Sequence, residues 1–303
     1  MSNCKFQGTA EGRFARRIAP FLLVAASPVL AGQAVDQRLP ASAHGSVEVS
    51  NVAGTVTVRG TTKNEVHVAG KITSKAQLEF SVDGDRTIIK VVLPKVSMHE
   101  GGSDLEIEIP AASDLTVSTV SADTGVTSVL GALDLQSVSG AIETEAFDKD
   151  LKLRTVSGDV NVRGHRGSGA ISVVTVSGNV DTKDTGGETN ATSVSGDLIL
   201  HLASVSRSRL RTTSGDITMY AQLAKDGRID SESVSGDIGF HLSGTRDAQY
   251  DLATATGKIS NCFGPKPVSD KYGSGEELKF REGAGSASLD AKSLSGDVSL
   301  CKD

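Results

Sequence analysis

The chain of 303 residues carries 33 Gly, 7 Pro, no Trp and 4% aromatic residues, which excludes a large aromatic-rich core. Its formal charge of −6 is spread along the chain without an extended basic run, which removes the electrostatic footprint of a nucleic-acid binder. Abundant Ser, Thr and Val favour pleated backbone over helix.

At the N-terminus, Lys5, Arg13, Arg16 and Arg17 precede an apolar run over residues 18–30. That order is a signal peptide's, and the run is shorter than the roughly 20 residues a membrane-spanning helix needs. Cleavage is expected near Ala31 or Ala34, so residues 1–31 leave, Cys4 among them, and 32–44 form a flexible mature N-terminus. The mature chain is then periplasmic or secreted, with no transmembrane segment.

From 45 to 110, strand signals occur without a strict period: Val47, Val49, Val56, Val58, Val66 and Val68, then Leu78, Phe80, Ile88 and Val91, then Leu105, Ile107 and Ile109. These read as irregular coils that cap the regular repeats. From 111 to 303 a short phrase recurs. Ser-Gly-Asp stands at 157–159, 195–197, 214–216, 235–237 and 295–297, with worn copies at 139–141, 177–179 and 256–258 and a first copy lacking glycine at 121–123. Gly140, Gly158, Gly178, Gly196, Gly215, Gly236 and Gly257 are separated by 18, 20, 18, 19, 21 and 21 residues, and Gly296 comes after a further 39.

Aliphatic residues alternate on both sides of each glycine, as at Leu151, Leu153, Val160 and Val162, so two short strands per unit bury one face. The glycine suits a sharp turn through its freedom to take φ > 0, and Ser and Asp can bond nearby amides. One unit buries too few side chains to offset its backbone entropy, whereas stacked units make continuous apolar columns. The expected fold is therefore all-β: a single-domain β-solenoid over 45–303, its coils of about 18–21 residues, with a loop insertion at 264–285. An antiparallel meander is the rival.

The segment 47–54, the Leu105-Glu106-Ile107-Glu108-Ile109-Pro110 stretch and the Ser-Gly-Asp ladder resemble the bacterial putative-adhesin domain family of unknown function. The resemblance implies a β-solenoid in envelope or secreted proteins. Its motifs are structural, so it implies no catalytic residue.

Cys262 and Cys301 each lie five residues after their repeat glycine and so share a column. If 264–285 loops out, their coils become neighbours, and strand spacing suits a disulfide closed in an oxidising compartment. The same outward column holds Glu145, Arg163, Lys183, His201, Tyr220 and His241, a candidate contact surface. The two His flanking Tyr220 would stand about 10 Å apart, too far to share a metal directly. An Asp column through Asp123, Asp159, Asp197, Asp216, Asp237 and Asp297 suits turn capping better than calcium, since one carboxylate per coil leaves most of the ion's oxygen positions empty.

No metal site and no cofactor is therefore expected. No Gly-x-Ser-x-Gly elbow, His-Glu-x-x-His helix or Walker loop occurs, and no His recurs beside the repeat serines to activate them. The leading expectation is a non-enzymatic, adhesin-like binding or structural module whose partner is an unknown protein or glycan of the cell envelope or of a host surface. A polysaccharide-acting enzyme on a β-helix is the alternative, and an envelope-stress accessory protein a second.

Overall fold

Alternating small β-branched and polar residues give strands throughout. The computed structural model describes residues 32–94, 101–244, 247–269 and 274–302, and among these every regular element is a β-strand. Residues 1–31, read from sequence as a signal peptide, lie outside the described residues.

The body runs through β1 (Gln33–Pro40), β2 (Ser46–Thr61), β3 (Glu65–Ile72), β4 (Gln77–Asp83), β5 (Arg86–Val92), β6 (Ser103–Pro110) and β7 (Asp114–Thr127). The repeats then supply β8 (Leu133–Gln136), β9 (Ile142–Ala146), β10 (Leu151–Arg154), β11 (Val160–Gly164), β12 (Ile171–Val174), β13 (Val180–Thr192), β14 (Leu198–Thr212), β15 (Ile217–Ser233) and β16 (Ile238–Ser243). The C-terminal end consists of β17 (Ala248–Thr254), β18 (Ile259–Asn261), β19 (Val268–Ser269), β20 (Glu276–Glu282), β21 (Ala287–Ser293) and β22 (Val298–Lys302).

Strands before and after each glycine make two parallel stacks. Leu151 lies between Leu133 and Ile171 in one. In the other, Ile142, Val160, Val180, Leu198, Ile217 and Ile238 succeed one another in register. All of these side chains are buried, so each coil covers the apolar face of the next. In β13, β14 and β15 the chain bends through the far corner without leaving strand conformation, giving one long strand where two short ones were expected.

The repeat corner has a different cause from the one read in sequence. The eight repeat glycines are absent from the left-handed region. What they supply is lack of bulk: a Cβ on Gly158 would run into the carbonyl of Gly140, one on Gly196 into that of Gly178, and one on Gly215 into that of Gly196. The turn is held by a residue the three-letter phrase leaves out, a buried Ser or Thr three positions before the glycine. Its hydroxyl accepts the glycine N–H, at 3.0 Å for Thr155 to Gly158, 2.8 Å for Ser193 to Gly196 and 3.0 Å for Thr212 to Gly215. The Asp carboxylates serve as caps between coils, Asp197 Oδ1 accepting the Asp216 N–H at 2.9 Å and Asp216 Oδ1 the Asp237 N–H at 2.8 Å.

Sequence order and stacking order part company at both ends. β22 lies between β16 and β18, and β21 between β15 and β17, so the last coil of the chain is seated inside the one that precedes it. At the other end β2 lies between β7 on one side and β5 and β6 on the other. Antiparallel strands then close each outermost coil: β3 on β6 and β4 on β5 at one end, β20 on β17 at the other.

Two expectations are corrected by these pairings. Residues 33–40 are not a flexible lead-in but form β1, paired with β3 from Gln33↔Ile72 to Pro40↔Glu65, since the exposed edge of β3 offers unpaired amides and carbonyls. The insertion at 264–285 is not simply a loop. Its strand β20 returns along β17, where Phe280 stacks on Tyr250 at 4.6 Å and Phe263 meets both rings edge-on at 5.8 and 6.1 Å. Burying those rings offsets the cost of ordering the segment.

Thr212→Val keeps the shape and removes the acceptor of a buried N–H, and should cost about 1–3 kcal/mol in chemical denaturation, while Thr212→Ser restores most of it. Gly215→Ala should cost about 1–3 kcal/mol by forcing adjacent coils apart. Equal midpoints for wild type and both destabilised variants would refute this account of the corner.

Candidate binding face

The strands just after the repeat glycines present one outward face, and its composition changes along the stack. In the first half, Glu145, Arg163 and Lys183 stand in register on β9, β11 and β13. Two residues earlier on the same strands, Glu143, Asn161 and Asp181 form a parallel column. Together with Gly125 and Thr127 they line a surface depression of about 380 Å³. Gly125 makes room for it, since nothing lies within 4 Å of where its Cβ would be.

The charged groups here hold one another in place. Glu145 Oε2 accepts the Ser128 N–H at 2.7 Å, and its Oε1 lies 3.4 Å from His165 Nε2. The His165 ring in turn stacks on Phe147 with centroids 4.5 Å apart. Lys183 Nζ lies 3.3 Å from Asp181 Oδ2.

The column expected to run unbroken from Glu145 to His241 is interrupted. Pairing of β13 with β14 jumps from Thr182↔Leu200 to Thr185↔Leu202, so Lys183 and Asp184 together lie opposite His201 and the one-to-one register is lost there. The cause is local: Asp184 takes φ 53°, which swings the strand out of register.

Beyond the break the column resumes as rings. His201, Tyr220 and His241 are in register, with centroids 4.4 Å apart and planes within 2° for the first pair, and 4.5 Å and 13° for the second. Parallel strands set this spacing, and the rings adopt it. A recess of about 170 Å³ beside them is lined by Asp184, His201, Leu202, Ala203, Tyr220, Ala221 and Ser243. The next residue in the column after His241 is Cys301, which is bonded to Cys262 across a Cα separation of 4.9 Å. The disulfide joins the inserted coil to the outermost one.

Of the residues lining the face, Glu143, Asn161, Asp181 and the Phe147–His165 pair were not singled out from sequence. For the first three a signal existed: each lies three residues after a repeat glycine, where alternation also points outward. Among the described residues, no group of three or more His, Cys, Asp or Glu is placed to hold a metal ion.

The opposite stack carries ion pairs, Arg154 with Asp134 at 3.1 Å and Arg211 with Glu232 at 3.0 Å. It also aligns three aspartates, since Asp290 lies between Asp230 and Asp251. Burial, then Asp251 and Asp230, hold the Asp290 carboxyl above the ordinary carboxylate range, against the opposing pull of Lys292 and Arg228.

The architecture defines the class: an all-β, β-solenoid-like protein with a rigid, outward-facing polar face. A family model, Toastrack DUF4097, matches residues 33–191 and again 149–301, and the chain belongs to that family. No protein with a curated description matches it. Among solved structures, a putative adhesin from Parabacteroides merdae ATCC 43184 is 9% identical, with 71% of this chain and 91% of that one covered, at a TM-score of 0.50. A putative adhesin from Bacteroides fragilis NCTC 9343 is 11% identical, with 88% and 96% covered, at 0.42. At these identities the first likeness shows the fold alone.

A raised carboxyl favours the fold only while protonated, so the stabilising effect of protonating Asp290 is full below the unfolded value near 4 and lost as pH rises through the folded value. Asp290→Asn should therefore raise the melting temperature at pH 7 and give no gain at about pH 3. A melting temperature unchanged at pH 7 would contradict the cause assigned to Asp290.

Proposed function

We propose that the protein is a non-enzymatic, adhesin-like binding module of the bacterial cell envelope, and that its contact surface is the face just after the repeat glycines. One observation carries the reading. The outward face offers mixed charge in a depression, through Glu145, Arg163 and Lys183, and beyond the break at Asp184 a stack of rings, through His201, Tyr220 and His241. Paired donors and acceptors, the imidazole nitrogens and tyrosine hydroxyl of the ring stack among them, match the hydroxyls of a glycan, and the rigid strands hold them without ordering cost on binding. The fold shared with the structure from Parabacteroides merdae, named as a putative adhesin, supports the same class. The partner is then a glycan or a glycan-bearing protein of the envelope or of a host surface, and no cofactor is used.

Export fits the same reading. The basic residues and apolar run of the first 31 residues fit a signal peptide, and the Cys262–Cys301 disulfide suits an oxidising compartment. Mass measurement on secreted or periplasmic material should find an N-terminus near residue 32 or 35 and two fewer hydrogens than the reduced chain. Retention of residues 1–31, or two free thiols, would remove the exported assignment.

Glycan-array binding tests the contact face. Arg163→Ala and Tyr220→Ala should each weaken the retained ligands at least about tenfold, the loss of roughly 1.4 kcal/mol. Neither side chain belongs to the buried core, so the melting temperature should hold. Unchanged binding in both variants, or new reducing ends released from a bound polysaccharide, would overturn the proposal.

A further inference from the structure

The corner of the repeat carries a feature unrelated to the polar face. Two residues before each glycine stands an exposed aliphatic side chain: Val120, Val138, Val156, Val176, Val194 and Val234 are 43–48% exposed. They are not scattered. The serine beside each one hydrogen-bonds the carbonyl of the ridge residue one coil below, linking Val120 to Val138, Val138 to Val156, Val156 to Val176 and Val176 to Val194. Thr213 takes one place, Val52 begins the line, and Leu294 and then Ala255 end it, Thr256 beside Ala255 bonding the Leu294 carbonyl.

The result is a ridge of ten rungs, nine of them apolar, about 40 Å long at the spacing of parallel strands. Nothing in the corner requires an aliphatic residue there. The turn is held by the buried hydroxyl, the glycine and the Asp cap, while the ridge residue contributes only its backbone groups. Thr213 does the same work with a polar side chain. A continuous exposed apolar line of this length marks an interaction surface.

We infer that the ridge is a side-by-side interface between two copies of this chain, running in the same direction. The occupant must present apolar groups at the same strand pitch over the whole length, and a second copy does so by construction. Its size also fits. A contact about 40 Å long and roughly 12 Å wide buries on the order of 1,000 Å² in total, the lower end of specific interfaces and enough for a weak, reversible dimer.

Charge sets the direction. Asp159, Asp197, Asp216 and Asp237 line one flank of the ridge and are exposed. Copies running in opposite directions would bring the two Asp columns face to face. A two-fold axis parallel to the stack instead keeps the two Asp columns apart, each facing the partner's other flank, where Arg154 and Arg211 stand paired with Asp134 and Glu232. Like residues of the two copies then meet at the same height.

Sedimentation of the purified protein should show a monomer–dimer equilibrium in the micromolar range. Val156→Glu with Val176→Glu should weaken it at least about tenfold without moving the melting temperature. Direction is read by single cysteines: Val138→Cys, Val176→Cys and Val234→Cys should each give a disulfide-linked dimer under mild oxidation, and Lys152→Cys, off the ridge, should not. Cross-linking at Val176→Cys alone would overturn the parallel arrangement. A wild type monomeric to several hundred micromolar, a dimer indifferent to the glutamates, or equal cross-linking at Lys152→Cys would overturn the interface.

Discussion

The whole stack depends on how closely one backbone can pass over the next at the repeat corner. From Gly158 onward each repeat glycine sits against the carbonyl of the glycine in the adjacent coil, at a separation no Cβ could share, and each buried Ser or Thr hydroxyl takes up the N–H that the sharp turn leaves without a strand partner. Both conditions act on backbone atoms and on a residue that never reaches the surface. Because the corner is identical from coil to coil, every residue at a given offset from the glycine is carried to the same place on the next coil. The apolar columns, the Asp caps, the rings and the disulfide are consequences of that alignment.

A stack of parallel coils would end in open edges at both ends, which is a hazard in any sheet protein. Here each end answers with the same two devices. The outermost coil is laid down out of sequence order, with its neighbour passing between it and the body, and an antiparallel strand then covers its outer edge. Seating a coil between two others means that it cannot peel away without breaking pairing on both sides. At the C-terminal end the Cys262–Cys301 bridge and the Tyr250, Phe263 and Phe280 cluster add to that closure.

Sequence showed the features that depend on offsets. Equal spacing of like residues revealed the parallel register of Ile142, Val160 and Val180, and the offset of five placed Cys262 beside Cys301. It could not show the order of the end coils, because Val298 satisfies the pattern equally well beside Ile238 or beside Ile259 and in fact lies between them. Nor could it show the break at Asp184, where three steps from Thr182 to Thr185 lie opposite two from Leu200 to Leu202, because later shifts of the opposite sense in the same strand pair offset the extra residue. The turn hydroxyl was visible all along, Ser or Thr standing at residues 137, 155, 175, 193, 212, 233, 254 and 293, but a search centred on Ser-Gly-Asp stops two residues short of it. The reason for the glycine was misjudged for a related cause: composition reports that a residue has no side chain, and only coordinates tell whether φ or space requires it.

The same division of labour explains how a repeat with a strict core can have a variable surface. Positions two and four after the glycine are confined by stacking, so from Gly140 to Gly236 they stay buried, as Ile, Val, Leu, Thr, Met or Phe. Positions three and five point outward and answer to no neighbour inside, which lets them read Glu143 and Glu145 on one coil, Asn161 and Arg163 on the next, and Thr218 and Tyr220 further on. A change there alters what the face can bind while leaving the corner, and so the fold, as it was. The uniformity of the exposed aliphatic position two before the glycine stands out against that freedom. It lies outside the core, is released from the turn, and is nonetheless kept apolar on nine of ten successive rungs, which is the pattern of a surface constrained by contact with something outside the chain.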